Sequence, residues 1–199
     1  MDLNSDLGEG FGPWSMGDDA AMLGVVTSAN IACGGHASDP DTMFATLRLA
    51  AERGVVIGAH PGYADPLGFG RRVIPMEPVE IARMVAAQVG ALQGVAALVG
   101  AKVAYVKAHG ALANLAADRR EVADAIASAV KALPGGLAIL AISGTELEAA
   151  GRAAGRPGAG RARPWQGGPL RGRSRSRGCA RPPPACGAPG LRDSRPGAA

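Results

Sequence analysis

From its first residues to about residue 155 the chain alternates short β-branched or apolar runs with longer stretches of helical spacing. That alternation restricts it to a parallel β/α architecture. "MDLNSDL" (1–7) alternates apolar and polar residues as a strand does, and "VVTSA" (25–29) starts a second strand. "DPDTMFATLRLAAERG" (39–54) predicts a helix, with Asp39 as cap, Pro40 at the first helical position and Gly54 as the stop. "VVIGA" (55–59) reads as a buried strand, 77–100 as a long helix, and "KVAYVKA" (102–108) as another strand. A helix over 117–136 ends at Pro134-Gly135-Gly136, "LAILAI" (137–142) is a fifth strand, and Thr145 opens a last helix. The resulting five strand–helix units fall short of the eight of a full (β/α) barrel.

The formal net charge of +4 conceals a division. Residues 1–151 carry 10 Lys/Arg and 16 Asp/Glu, whereas residues 152–199 carry 11 Arg, no Lys and only Asp193 as an acid. The second stretch is dense in Gly, Pro, Arg and Ala without apolar periodicity, so disorder is expected there. Its "RGRSRSRG" superficially resembles nucleic-acid-binding arms, but nucleic acid is not the expected partner despite the basic charge. GC-rich DNA read out of frame yields the same mixture. The sequence therefore predicts a β/α domain over 1–151, a frameshifted tail over 152–199, and a native reading frame that departs near 150–155. Resequencing the gene tests this: an intact frame through the region overturns it.

No run of eighteen apolar residues and no leader pattern appears, so neither a membrane span nor a secretory signal is expected. Cys33, Cys179 and Cys186 fit neither a disulfide framework nor a paired C-x-x-C metal site. A reduced, cytoplasmic setting is the default.

All three histidines fall just past a strand's C-terminal end: His36 in "NIACGGHASD", His60 in "IGAHPGY" and His109 in "YVKAHGALAN". Catalytic groups of parallel β/α folds gather at that face. The first strand brings Asn4, Asp6 and Glu9 to the same end, ahead of "GEGFGPW", whose glycines match neither Walker nor dinucleotide spacing. A carboxylate with converging imidazoles either acts as acid and base or binds a divalent metal, for which Asp6, His36, His60 and His109 are the candidates. No compact signature such as H-E-x-x-H decides between the two. Arg71 and Arg72, in the loop "DPLGFGRR", and Lys107 offer positive charge for a phosphate or carboxylate. The glycine pair before His36 predicts a turn that aims His36 into the site, with Cys33 packed behind it rather than acting as a catalytic thiol.

Four blocks, "DLNSDLGE", "NIACGGHASD", "GAHPGYADPLGFGRR" and "VKAHGALAN", together resemble the signature blocks of the LamB/YcsF family, in order and over about residues 1–150. The resemblance implies an irregular parallel β/α barrel of the glycoside hydrolase/deacetylase type, incomplete here. It also implies ATP-dependent opening of 5-oxo-L-proline to L-glutamate, with ATP as co-substrate and 5-oxoprolinase subunits B and C as partners. On that reading Asp6, His36, His60 and His109 are the catalytic set. Asn4, Glu9, Asn30, Tyr63, Arg71, Arg72, Lys107 and Asn114 bind substrate or phosphate. Two other classes remain at this point: a metal-dependent amide or N-acetyl hydrolase working without ATP, and a non-catalytic lactam-binding protein. A barrel of five units is expected to be inactive alone.

Overall fold

The structure, a computed structural model, describes residues 2–155, which lie within one compact unit, Met1–Trp165. The expected disordered tail therefore lies outside the described residues from residue 156 onward. Its expected boundary at 151/152 falls inside a helix, described next.

Five parallel strands form one sheet in sequential order: β1 (Asn4–Leu7), β2 (Ser28–Ala32), β3 (Val56–His60), β4 (Val103–Val106) and β5 (Ala138–Ile139). Six α-helices connect and flank them: α1 (Asp19–Met22), α2 (Pro40–Glu52), α3 (Pro78–Leu98), α4 (Gly110–Asp118), α5 (Arg120–Ala132) and α6 (Glu146–Ala153). The parallel α/β class is as expected. Among the described residues the sheet does not close, and β1 and β5 are its edges.

The two sheet faces differ because side chains alternate along a strand. Leu7, Ala29, Ile31, Ile57, Ala59 and Val106 are buried in a core shared with α2, α3 and α5, where Leu47, Ile81, Val85, Leu92 and Ile126 are almost wholly covered. The register aligns Asp6, Asn30, Gly58 and Tyr105 across the other face. Ala104 is the extra residue of a bulge opposite Ile57/Gly58, which sends Val103 to the apolar face and Tyr105 to the polar one. β3 is accordingly not the wholly buried strand its composition predicts: Val56 is 49% exposed.

Other boundaries also differ. Asp39 caps α2 as expected, its carboxylate accepting from the Asp41 and Thr42 amides. The helix expected over 117–136 is shorter, α5 at Arg120–Ala132, and extended Arg119 separates it from α4, an element not expected from the sequence. By length and composition α3 would suffice to cross a membrane, alone among the described helices. Here it packs a face of Ile81, Val85, Val89, Leu92 and Ala96 into the core.

Candidate functional site

The C-terminal ends of β1 to β4 converge on the histidines. His60 ends β3, His36 follows β2, His109 precedes α4, and Glu9 lies just past β1. His36, His60 and His109 are 1–4% exposed. One ligand atom from each, with one from Glu9, fall within 4.8 Å of one another. The His36 and His109 rings stack in parallel, centroids 3.6 Å apart, and His60 meets both edge-on.

Hydrogen bonds fix where the ring protons are. His60 Nδ1 lies 2.7 Å from the Lys107 carbonyl, and His109 Nε2 lies 2.8 Å from the Phe69 carbonyl. A carbonyl only accepts, so each of these nitrogens carries a proton. In the neutral rings, His60 Nε2 and His109 Nδ1 then present lone pairs to each other across 3.1 Å. Glu9 Oε1 stands 3.9 Å from the same His109 nitrogen and 3.2 Å from His36 Nε2, and Asp6 Oδ2 stands 3.4 Å from His60 Nε2. Facing lone pairs beside two carboxylates repel unless a cation, either one proton or a metal ion, lies between them.

The electrostatics keep this set electron-rich. Burial, reinforced by the neighbouring His36, pushes His109 down to about 4. Burial likewise lowers His36, against the opposing hydrogen bond to Glu9. Burial alone would raise the Asp6 carboxyl, but hydrogen bonds and charge from His60 and Lys107 outweigh it and hold Asp6 well below the usual carboxylate range. Lys107 Nζ donates to Asp6 Oδ1 at 2.6 Å. Cys33 packs behind: its thiol donates to the Ile31 carbonyl, it accepts the His60 N–H, and burial pushes it up to about 12. At neutral pH it is a thiol and not a thiolate nucleophile.

The remaining sequence candidates divide. Asn30 Nδ2 donates to Asn4 Oδ1 and to Asp6 Oδ1, both at 2.6 Å, so both amides join the floor beneath Asp6. Tyr63 is fully buried, with its hydroxyl unpartnered. Arg72 is committed to Asp65, which accepts from its Nε at 2.9 Å, and the exposed Arg71 lies with its guanidinium carbon 5.8 Å from the Phe69 ring centre. Asn114 is exposed on α4. Neither arginine nor Asn114 joins the histidine cluster.

A LamB/YcsF family profile matches residues 1–162. The chain belongs to the LamB/YcsF family. The A subunit of 5-oxoprolinase from Rhodopseudomonas palustris is 58% identical over 158 residues, 79% of this chain and 62% of that protein. Its counterpart from Nocardia farcinica is 59% identical over 155 residues, 78% of this chain and 62% of that protein. The crystal structure of the lactam utilization protein from Thermus thermophilus is 42% identical, superposes with a TM-score of 0.77, and matches 79% of this chain and 64% of its own. The chain thus spans about three fifths of the length of these relatives.

Four residues of this LamB/YcsF site carry no motif of their own. Phe69 supplies the carbonyl that orients His109 and packs edge-on against both stacked rings. The turn that delivers it needs Gly70, at φ +61°, where a Cβ would stand 2.7 Å from the His36 Cβ. Tyr105 donates to Asn30 Oδ1 at 2.8 Å beneath Asp6. Gln88, on α3, hydrogen-bonds both peptide groups of Gly62. Only the spacing of Gly68 and Gly70 around Phe69 hints at such a role, since Tyr105 and Gln88 read as core positions.

Proposed function

We propose that the chain belongs to the A subunit of a 5-oxoprolinase and supplies the site where 5-oxo-L-proline is opened to L-glutamate, with ATP consumed and subunits B and C as partners. The observation that carries this reading is the Glu9–His36–His60–His109 cluster, in a chain more than half identical to proteins named as the A subunit of 5-oxoprolinase. A five-membered lactam is a poorly electrophilic amide. Phosphoryl transfer from ATP to its oxygen gives ADP and an activated imidate. Water then adds to the carbon, the C–N bond breaks as the nitrogen takes a proton, and γ-glutamyl phosphate results. A second water releases phosphate and L-glutamate.

A divalent cation fits the cluster, because it removes the lone-pair conflict between His60 and His109. Glu9, His36, His60 and His109 would hold it, with Asp6 beside His60. When bound, it would supply charge stabilisation for developing oxyanions. The chain's own groups account for the rest. Lys107 balances Asp6 at the rim and faces an incoming carboxylate or phosphate. With the three imidazoles on the cation, Asp6, beside His60 and outside that ligand set, is the group left to take the proton of attacking water and return it to the departing nitrogen. The Phe69 ring, edge-on to His36 and His109, lowers the dielectric around the cluster and strengthens each of these interactions. The setting proposed is the cytoplasm, where Cys33 stays reduced.

The test is a 5-oxoproline turnover assay with and without ATP, using an intact homologous A subunit with its B and C partners. Glutamate formed in step with ADP supports the reading. Glutamate formed without ATP replaces it with a metal-dependent amide hydrolase, and lactam binding without turnover replaces it with a binding protein.

A further inference from the structure

We propose that Gln88 is a positioning residue of this site, whose buried amide sets the backbone on which the stacked His36 and His109 rings rest. The inference takes the histidine cluster as the functional site. On α3, Gln88 is the only polar member of a buried face otherwise made of Ile81, Val85, Val89, Leu92 and Ala96. Packing alone would be served by leucine or methionine there, without the cost of burying an amide. Both amide atoms are engaged: Oε1 accepts the Gly62 N–H at 3.0 Å, and Nε2 donates to the Gly62 carbonyl at 2.7 Å.

Gly62 is where that clamp reaches the chemistry. It follows His60-Pro61 at the end of β3, and the Pro61 carbonyl accepts the His109 N–H at 2.8 Å. A Cβ on Gly62 would lie 3.0 Å from His36 Nδ1 and 3.3 Å from the His109 Cβ, so both residues sit directly on this peptide. From the other side, a Cβ on Gly35 would lie 2.5–2.7 Å from the Gln88 amide atoms. The amide is therefore wedged between the backbone next to His36 and the backbone beneath His36 and His109. It also explains the second glycine of "CGGH": residue 35 has no side chain because Gln88 occupies its space. Gln88 acts through these two peptides, not on a substrate.

The sequence makes the test selective, since its three histidines are all in the cluster. Diethyl pyrocarbonate modification of the full chain at micromolar concentration, read residue by residue by mass spectrometry, reports the cluster alone. Gln88→Met keeps the length and removes both hydrogen bonds; Gln88→Glu keeps the acceptor and loses the donor. Val85→Ala, elsewhere on the same buried face, is the control for loss of stability. His36 and His109 are expected to react about tenfold faster in Gln88→Met, the opening expected when a buried peptide group loses its partners, with His60 much less affected. Gln88→Glu is expected to fall between wild type and Gln88→Met, and it carries the test if the methionine variant fails to fold. Rates that stay at wild-type values, or that rise together at all three histidines as in Val85→Ala at equal loss of Tm, overturn the proposal. A failed turnover assay would remove the function from the site and leave this readout unchanged.

Discussion

The proton positions on His60 and His109 come from two backbone carbonyls, Lys107 and Phe69, supplied by β4's end and by the loop after β3. No sequence motif encodes that. The histidines were legible because all three follow strand ends, but their division of labour was not, because it depends on which carbonyl each ring meets. Substitutions test the division. In an intact homologous complex, His36→Ala is expected to lower kcat by about 10²–10⁴, since losing a cation ligand must cost more than losing an outer partner. Cys33→Ala is expected to stay within a few-fold of wild type, since a thiol pushed up to about 12 is no nucleophile at neutral pH. A larger loss in Cys33→Ala than in His36→Ala would overturn both assignments. Metal binding separates the readings further: removing Glu9 as Glu9→Gln is expected to weaken a divalent cation by at least about tenfold in a calorimetric titration, as losing a ligand must exceed losing an outer partner.

Helix α2 shows what the sequence encodes best, because capping is local. Asp39 accepts from the Asp41 and Thr42 amides and also from the Gly12 N–H at 2.8 Å, tying the glycine-rich loop after β1 to the helix start. Asp39→Ala is expected to destabilise the fold by about 1 kcal/mol, the usual worth of an N-cap. The Gly12 N–H bond, with the Thr42 hydroxyl and amide, holds the Asp39 carboxyl down at about 2, below the 3.8 of a free aspartate. A depressed carboxyl stabilises above its unfolded value and loses that contribution as pH falls through the folded one. The stability gap between wild type and Asp39→Ala, measured by urea unfolding, should hold above pH 4 and close between pH 4 and 2. A gap independent of pH would refute the ionised cap. Where elements depended on distant contacts the sequence was less informative. The α4–α5 break at Arg119 has no Gly or Pro to mark it, and Arg72, which reads as free positive charge, is drawn to Asp65 seven residues earlier.

Across the molecule, strand order and parallel pairing follow from the alternation of elements, whereas the polarity of one sheet face does not. Asn4, Asp6, Asn30 and Tyr105 hydrogen-bond across that face and lead up to the histidines, so the site is one end of a polar network in which Asn30 and Tyr105 are buried. The matched part of the chain covers only about three fifths of these relatives' length, and the described sheet stops at β1 and at the two-residue β5. Unpaired strand edges recruit foreign strands, and the open sheet leaves Lys107 and Asp6 about a third exposed, where water weakens their ion pair. The 199-residue chain is therefore expected to self-associate increasingly with concentration in sedimentation velocity. It is also expected to give no measurable glutamate from 5-oxoproline and ATP, even with subunits B and C added. A monomer at tens of micromolar that turns over at a full-length relative's rate would show that the five-stranded sheet holds a complete site.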